Sequence, residues 1–254
     1  AHSHNANQDR NLKYPIKLWY RRSIPKYATS LFACGKEAGD WMFGGASYQI
    51  INNAIDAAAY TYTPAKRAEA RQALGLADEL TVGHVGRFNP QKNHPFLLEI
   101  FAALLKKEPD AILLLVGGGE NMPKIQDKAR ALGISEHVRF LGVRSDVAEL
   151  MQAMDVFVFP SLYEGLPVTM VEAQAAGLPC LISDKVPPEC ILTEGLVDVL
   201  PLSESPETWA EKILEKRELP RTDRRAEIAA HGFDITTEAA KLEKFYLEAT
   251  ECVS

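Results

Sequence analysis

From Leu80 onward the sequence alternates two signals that admit few folds. Short, continuous apolar runs occur at Leu80–Val85, Ala111–Val116, Val138–Leu141, Val156–Phe159, Pro179–Ile182 and Val197–Leu200. Between several of them lie amphipathic stretches of helical period, at Phe96–Lys107, Met122–Leu132, Val147–Met154 and Val168–Ala176. A strand without polar alternation is buried on both faces, and parallel strands need crossover helices to join them. The pattern therefore predicts an α/β domain with a doubly wound parallel sheet. None of the apolar runs approaches the length needed to span a bilayer.

Upstream the signals are weaker. Ser30–Cys34 reads as a strand, Gly35–Phe43 as its helix and Tyr48–Ile51 as a final strand. The polar, alanine-rich stretch Tyr60–Gly75 separates this region from the main domain, and Glu238–Glu248 carries Ala239, Leu242, Phe245 and Tyr246 along one helix face. The expected organisation is 1–55, a linker at 56–79, a main domain at 80–220, and C-terminal helices at 221–254. The opening "AHSHNANQDR" reads as the end of a strand and its following loop, so the sequence is expected to be a fragment. A net charge of −6 gives no general reason to expect nucleic acid as a partner. Four scattered cysteines without a C-x-x-C pair read as free thiols, which suits a cytoplasmic protein.

In a doubly wound sheet, ligands bind beyond the carboxyl ends of the strands. Four distinctive segments fall there: "GRFNPQKN", "GGGE", "GVRSD" and "PSLYEGLP". The first places Gly86, Arg87 and Lys92 in a loop before a helix. Two cations, flexible glycines and free helix N-termini on one edge suit a diphosphate. Singly, Arg87 and Lys92 read better as ordinary solvated loop charges, and Gly117–Gly119 need only turn the chain; their shared edge tips the balance. Glu164 can be an acid favoured by the helix dipole. Glu172, eight positions on, lies in a predicted helix beside this edge and suits ribose hydroxyls, although surface helices carry many glutamates. Pro167 fits the first helical position, leaving the N–H groups around Gly165 to Val168 free.

The segments "INNAID", "VGHVGRFNPQKN", "LLLVGGGE", "VRFLGV" and "MDVFVFPSLYEGLPVTMVEAQAAGLPCLIS" resemble family 4 glycosyltransferases of the GT-B fold. Within them the sequence is most similar to the capsular and exopolysaccharide group, over essentially its whole length. The resemblance implies a Rossmann-like C-terminal domain binding a nucleotide-sugar donor, preceded by the tail of an acceptor-side Rossmann-like domain. About a hundred residues of that first domain, on the order of a small domain, are then absent. It implies that Arg87 and Lys92 bind the donor pyrophosphate and stabilise the leaving group, and that Glu164 contacts the transferred sugar. Glu172 holds the ribose; Gly86, Gly165, Leu166, Pro167 and Val168 lie against the donor; Arg144, with Val143 and Asp146, belongs to the base-binding region. His2, with His4 as a competing assignment, matches a histidine near sugar and acceptor.

The implied activity is a retaining, metal-independent transfer from a UDP-sugar to a glycan or lipid-linked acceptor, with no cofactor. The sequence has no D-x-D, and Arg and Lys can supply the charge neutralisation that Mg²⁺ supplies elsewhere. The rivals are a nucleotide-sugar epimerase of the same fold, a non-catalytic nucleotide-sugar-binding fragment, and a dinucleotide-dependent oxidoreductase. For the last, "GGGENM" lacks the third small residue and follows the second strand. Residues 10–26 carry Arg10, Lys13, Lys17, Arg21, Arg22 and Lys26 among Leu12, Ile16, Trp19 and Tyr20. Such a segment can dock on anionic lipid at the inner face of the plasma membrane. A helix on the domain exterior with Trp19 packed inward is the preferred alternative. His84 reads as a packed strand residue and His94 as a neighbour of a helix cap. Trp209 and Glu207–Lys216 read as a peripheral helix.

Overall fold

The computed structural model describes residues 1–3 and 14–251, without the side chains of Glu37, Thr250 and Glu251. His4, Arg10, Leu12, Lys13 and Cys252 lie outside the described residues. The chain divides into two compact units, Ala1–Ile55 with Gly232–Ser254, and Asp56–His231.

In the first unit the elements are β1 (His2–Ser3), α1 (Tyr14–Arg21), α2 (Ile24–Tyr27), β2 (Phe32–Ala33), α3 (Lys36–Phe43) and β3 (Gln49–Ile50). The strands form a parallel sheet in the order β1-β2-β3. Leu31, Ala33, Ala38 and Phe43 make its small core. Helix α1 buries no residue, and Trp19 is 65% exposed, which corrects the inward-packed placement. Its ring meets Tyr20 edge-on at 5.0 Å, so the two aromatics cover each other rather than the core.

The second unit begins with α4 (Ala57–Tyr60) and α5 (Pro64–Ala73). Residues 56–79 are thus part of this unit and not a linker: Arg67 and Arg71 of α5 both pair with Asp155. There follow β4 (Thr81–Val85), α6 (His94–Leu105), β5 (Ile112–Val116), α7 (Met122–Ala131), β6 (Val138–Gly142), α8 (Val147–Ala153), β7 (Val156–Phe159), α9 (Val168–Ala175), β8 (Cys180–Ser183), β9 (Val197–Leu200), α10 (Pro206–Arg217) and α11 (Arg225–Ala230). Helix α12 (Ile235–Glu251) belongs to the first unit.

All six strands of the second unit are parallel, in the order β6-β5-β4-β7-β8-β9. The chain moves outward one way from β4, then returns and moves the other way from β7. The crevice beyond the ends of β4 and β7 is the switch point of the winding. Strand pleating divides the core between two faces. Leu113, Leu115, Val156 and Val158 pack with α6 and α10 on one face. Ile112, Leu114, Val116, Phe157 and Phe159 pack with α8 and α9 on the other. Covering both faces is what makes the strands continuous apolar runs rather than alternating ones.

Trp209 is fully buried in the first of these faces, edge-on to Phe96 of α6 at 5.8 Å. The segment expected to be peripheral is therefore a core helix. Its sequence looks exposed because charged residues surround Trp209, Ala210 and Ile213, yet these three suffice to form an apolar stripe. Among the described residues, no helix is long and apolar enough to cross a membrane.

Candidate active site

Three loops at the carboxyl ends of β4, β5 and β6 are laced together by their backbones. The Gly86 N–H donates to Val116 O at 2.9 Å, Phe88 N–H to Gly118 O at 2.9 Å, and Gly117 N–H to Gly142 O at 2.8 Å. Gly117 has φ 136°, and a Cβ there would lie 2.0 Å from the Gly86 carbonyl oxygen. The "GGGE" glycines thus do more than turn the chain: they let two loops touch backbone to backbone. This contact fixes where Gly86, Arg87 and Lys92 stand.

The switch-point crevice is bridged by side chains. Lys92, at the end of the turn Pro90–Lys92, donates from Nζ to Glu164 Oε1 at 2.7 Å. Gln91 Nε2 donates to Glu164 Oε2 and to Tyr163 O, each at 3.0 Å, and Leu162 N–H returns a bond to Gln91 O at 2.8 Å. The Lys92 and Glu164 side chains are only 13% and 6% exposed, and Nζ lies 4.5 Å from the Phe159 ring centroid. Out of bulk solvent the pair is little screened, so the charge-assisted bond and the second bond from Gln91 fix both side chains in one geometry. The sequence puts both residues on one edge, but nothing in its spacing encodes that they pair directly or that Gln91 completes the clamp.

Arg87 is different. Its side chain is 71% exposed, and its 3.4 Å contact with the equally open Glu120 is a surface pair of little strength. Arg87 is therefore a cation that an incoming anion can take over. Arg144 forms a fork with Asp146, Nε to Oδ1 at 2.7 Å and Nη2 to Oδ2 at 2.5 Å, beside the exposed Val143. A Cβ on Gly118 would meet Val143 at 2.9 Å, which puts this fork next to the glycine loop.

Glu172 sits in the second turn of α9. Pro167 is the N-cap of that helix rather than its first residue, and no side chain caps the N-terminus. The helix is held rigidly: buried Gln174 donates to Met170 O and Cys190 O and accepts from Leu192 N–H, Thr193 N–H and the Thr193 hydroxyl. Gly177, with φ 58°, ends the helix so tightly that a Cβ would lie 2.1 Å from Thr222 O. Gly165, Leu166, Pro167 and Val168 connect the Glu164 clamp to this anchored helix. The Glu172 carboxylate accepts from the Tyr60 hydroxyl at 2.8 Å. Partial burial raises its pKa, and the Tyr60 bond acts in the opposite direction.

Two histidines lie beneath the clamp. His84 Nδ1 lies 2.9 Å from Val158 O, and His94 stacks on Phe88 with centroids 4.2 Å apart. Burial, with Lys92 nearby, lowers the His94 pKa to about 4, and burial also holds His84 well below the usual imidazole value. Both are neutral packing residues at pH 7. Burial pushes the Cys190 thiol up to about 12, so it is no nucleophile near neutrality. Among the described residues, no group of three or more His, Cys, Asp or Glu is arranged to hold a metal ion. His2 lies in the other unit, on β1, with its ring 4.9 Å from that of Phe32 and Nε2 3.0 Å from Tyr246 Oη.

Residues 66–232 match the family described as glycosyl transferases group 1. The sequence is also 38% identical to the putative glycosyltransferase EpsF of Bacillus subtilis (strain 168) over 263 aligned positions, covering 99% of this chain and 68% of EpsF. The chain belongs to the group 1 glycosyl transferases. A second relative of this glycosyltransferase is the UDP-Gal:alpha-D-GlcNAc-diphosphoundecaprenol alpha-1,3-galactosyltransferase of Escherichia coli, 32% identical over 139 positions, 53% of this chain and 36% of that protein. Among solved structures, Anabaena HepE in complex with UDP-glucose superposes with a TM-score of 0.75 at 24% identity, over 97% of this chain and 71% of that one. The fold of this glycosyltransferase is accordingly of the GT-B type. Membership of this family sets aside the dinucleotide reading of "GGGENM", whose glycines instead pack against the loop after β4.

Proposed function

We propose that this glycosyltransferase takes its sugar from a UDP-sugar, with retention and without a metal, and passes it to a glycan or lipid-linked acceptor in capsular or extracellular polysaccharide biosynthesis. The observation that carries the proposal is the shielded Lys92–Glu164 pair at the switch point, flanked by the open Arg87. A diphosphate entering between them meets two cations: Arg87 exchanges its weak partner Glu120 for phosphate oxygens, and Lys92 is already held in position. As the sugar–phosphate bond breaks, negative charge grows on the leaving diphosphate, and fixed cations at that point lower the barrier. Glu164, clamped by Gln91 and Lys92, faces the transferred sugar, and Glu172 accepts from the ribose hydroxyls. Gly86 and the stretch Gly165–Val168 line the diphosphate, and Arg144 stands by the base.

The uridine preference is supported by relatives: HepE is known in complex with UDP-glucose, and the galactosyltransferase is named for UDP-galactose and a lipid diphosphate. In this reading the enzyme works in the cytoplasm, peripheral to the inner face of the plasma membrane, with residues 10–26 as the contact to a lipid-linked acceptor's membrane. Calorimetric titration of the chain with UDP-, GDP- and ADP-sugars tests the donor reading. UDP-sugars are expected to bind best, and Glu172→Ala to weaken them at least tenfold; equal binding by the variant removes the ribose assignment. Incubation with donor alone separates transfer from epimerisation, since an epimerase converts the donor without an acceptor.

A further inference from the structure

Tyr60 lies more than a hundred residues from Glu172 in sequence, yet its hydroxyl is the one side-chain hydrogen-bond partner of that carboxylate among the described residues. We propose that Tyr60 is a positioning residue for the nucleotide: its hydroxyl holds the Glu172 carboxylate in the orientation that accepts the ribose diol. This rests on the reading of Glu172 as the ribose contact.

The phenol is delivered from a fixed platform. Helix α4 opens with Asp56, whose Oδ1 accepts from Ala59 N–H at 3.2 Å, and Ala57 is fully buried beneath it. At its other end, the side-chain amide of buried Gln152, on α8, donates to Tyr60 O at 2.9 Å. The Tyr60 ring packs against the apolar face that holds Met170 and Ala173 of α9. Backbone and ring are therefore both fixed, and only one hydroxyl position results.

The chemistry of the diol explains why such a partner is useful. Two vicinal hydroxyls donate best to the two oxygens of one ionised carboxylate; a rotated carboxylate misaligns those acceptors, and a protonated one presents a donor at one oxygen instead. The Tyr60 bond occupies one acceptor position on Oε1, leaving the second on that atom and both on Oε2. Desolvation pushes Glu172 toward protonation and the phenol bond opposes it. The phenol itself stays a donor, because burial and the Glu172 charge raise its own pKa further. Phenylalanine at this position fills the same space and offers none of this.

The test uses Tyr60→Phe, which keeps the ring, with UDP and 2′,3′-dideoxy-UDP as probes in calorimetry on the whole chain. UDP affinity is expected to fall about five- to tenfold, as for loss of a hydrogen bond to a charged group. Affinity for the dideoxy nucleotide is expected to change less than about twofold, and Tyr60→Phe to have no effect in the Glu172→Ala background. Equal losses for both probes indicate a merely structural role and overturn the proposal, as does wild-type UDP affinity in Tyr60→Phe. A native protein that binds the two probes equally overturns the ribose reading of Glu172 itself. A native protein that prefers UDP while Tyr60→Phe does so equally overturns only the role of Tyr60.

Discussion

At the scale of the residue, the site is built on charges whose environments differ by design of the loops around them. Lys92 and Glu164 are shielded and mutually bonded, whereas Arg87 is open and weakly paired. Beneath them His94 is held neutral, and this has a cost that pH reveals. Its folded pKa of about 4 lies below the ordinary value of 6.5. As pH falls below the ordinary value, the unfolded chain binds a proton that the folded one refuses, so stability declines until pH reaches the folded pKa. Between pH 7 and pH 5 the loss at this site is about 2 kcal/mol. The substitution His94→Phe, which keeps a flat ring against Phe88, is expected to remove that part of the decline. Urea unfolding of both proteins at the two pH values measures it; an identical decline in the variant rejects the assignment.

At the scale of the element, α9 and α10 carry opposite messages about what a helix sequence shows. Helix α9 looks like a simple apolar segment, and its placement is decided by Gln174, whose amide is saturated by five bonds within its own helix and to the strand-linking loop. Helix α10 looks solvated, and it closes one face of the sheet. Truncating fully buried Trp209 to alanine is expected to cost about 3–5 kcal/mol, as for large-to-small changes in a core that cannot collapse. Chemical denaturation checks this; a cost below about 1 kcal/mol indicates that α10 is not part of the cooperative core.

At the scale of the whole molecule, charge is distributed unevenly. The sequence carries a net −6, yet Tyr14–Tyr27 has Lys17, Arg21, Arg22 and Lys26 and no acid. The same stretch exposes Ile16, Trp19, Tyr20 and Tyr27. Aromatic rings beside cations suit the headgroup region of an anionic bilayer, at about 1 kcal/mol per cation near the surface. Sedimentation with phosphatidylglycerol vesicles is expected to bring the protein down, and phosphatidylcholine vesicles to leave it in solution. Substituting Lys17, Arg21 and Arg22 together by glutamine is expected to abolish the difference. Equal sedimentation with both lipids ends the membrane reading.

What the sequence determined by itself was whatever follows from local periodicity and chain continuity. Continuous apolar runs at Ile112–Val116 and Val156–Phe159, too short for helices and alternating with amphipathic ones, read as strands buried on two faces, with their loops at one edge. That puts the loops carrying Arg87, Lys92 and Glu164 at one edge of the sheet. The tertiary structure decided which side chains touch. Strand order brought the loops after β4 and β7 face to face, so Lys92 and Glu164 pair across 72 residues of sequence. The chain's entry into the second unit set Tyr60 on Glu172 across 112. No spacing encodes such contacts, because they depend on the order in which parallel strands are laid down and not on the period within any one of them.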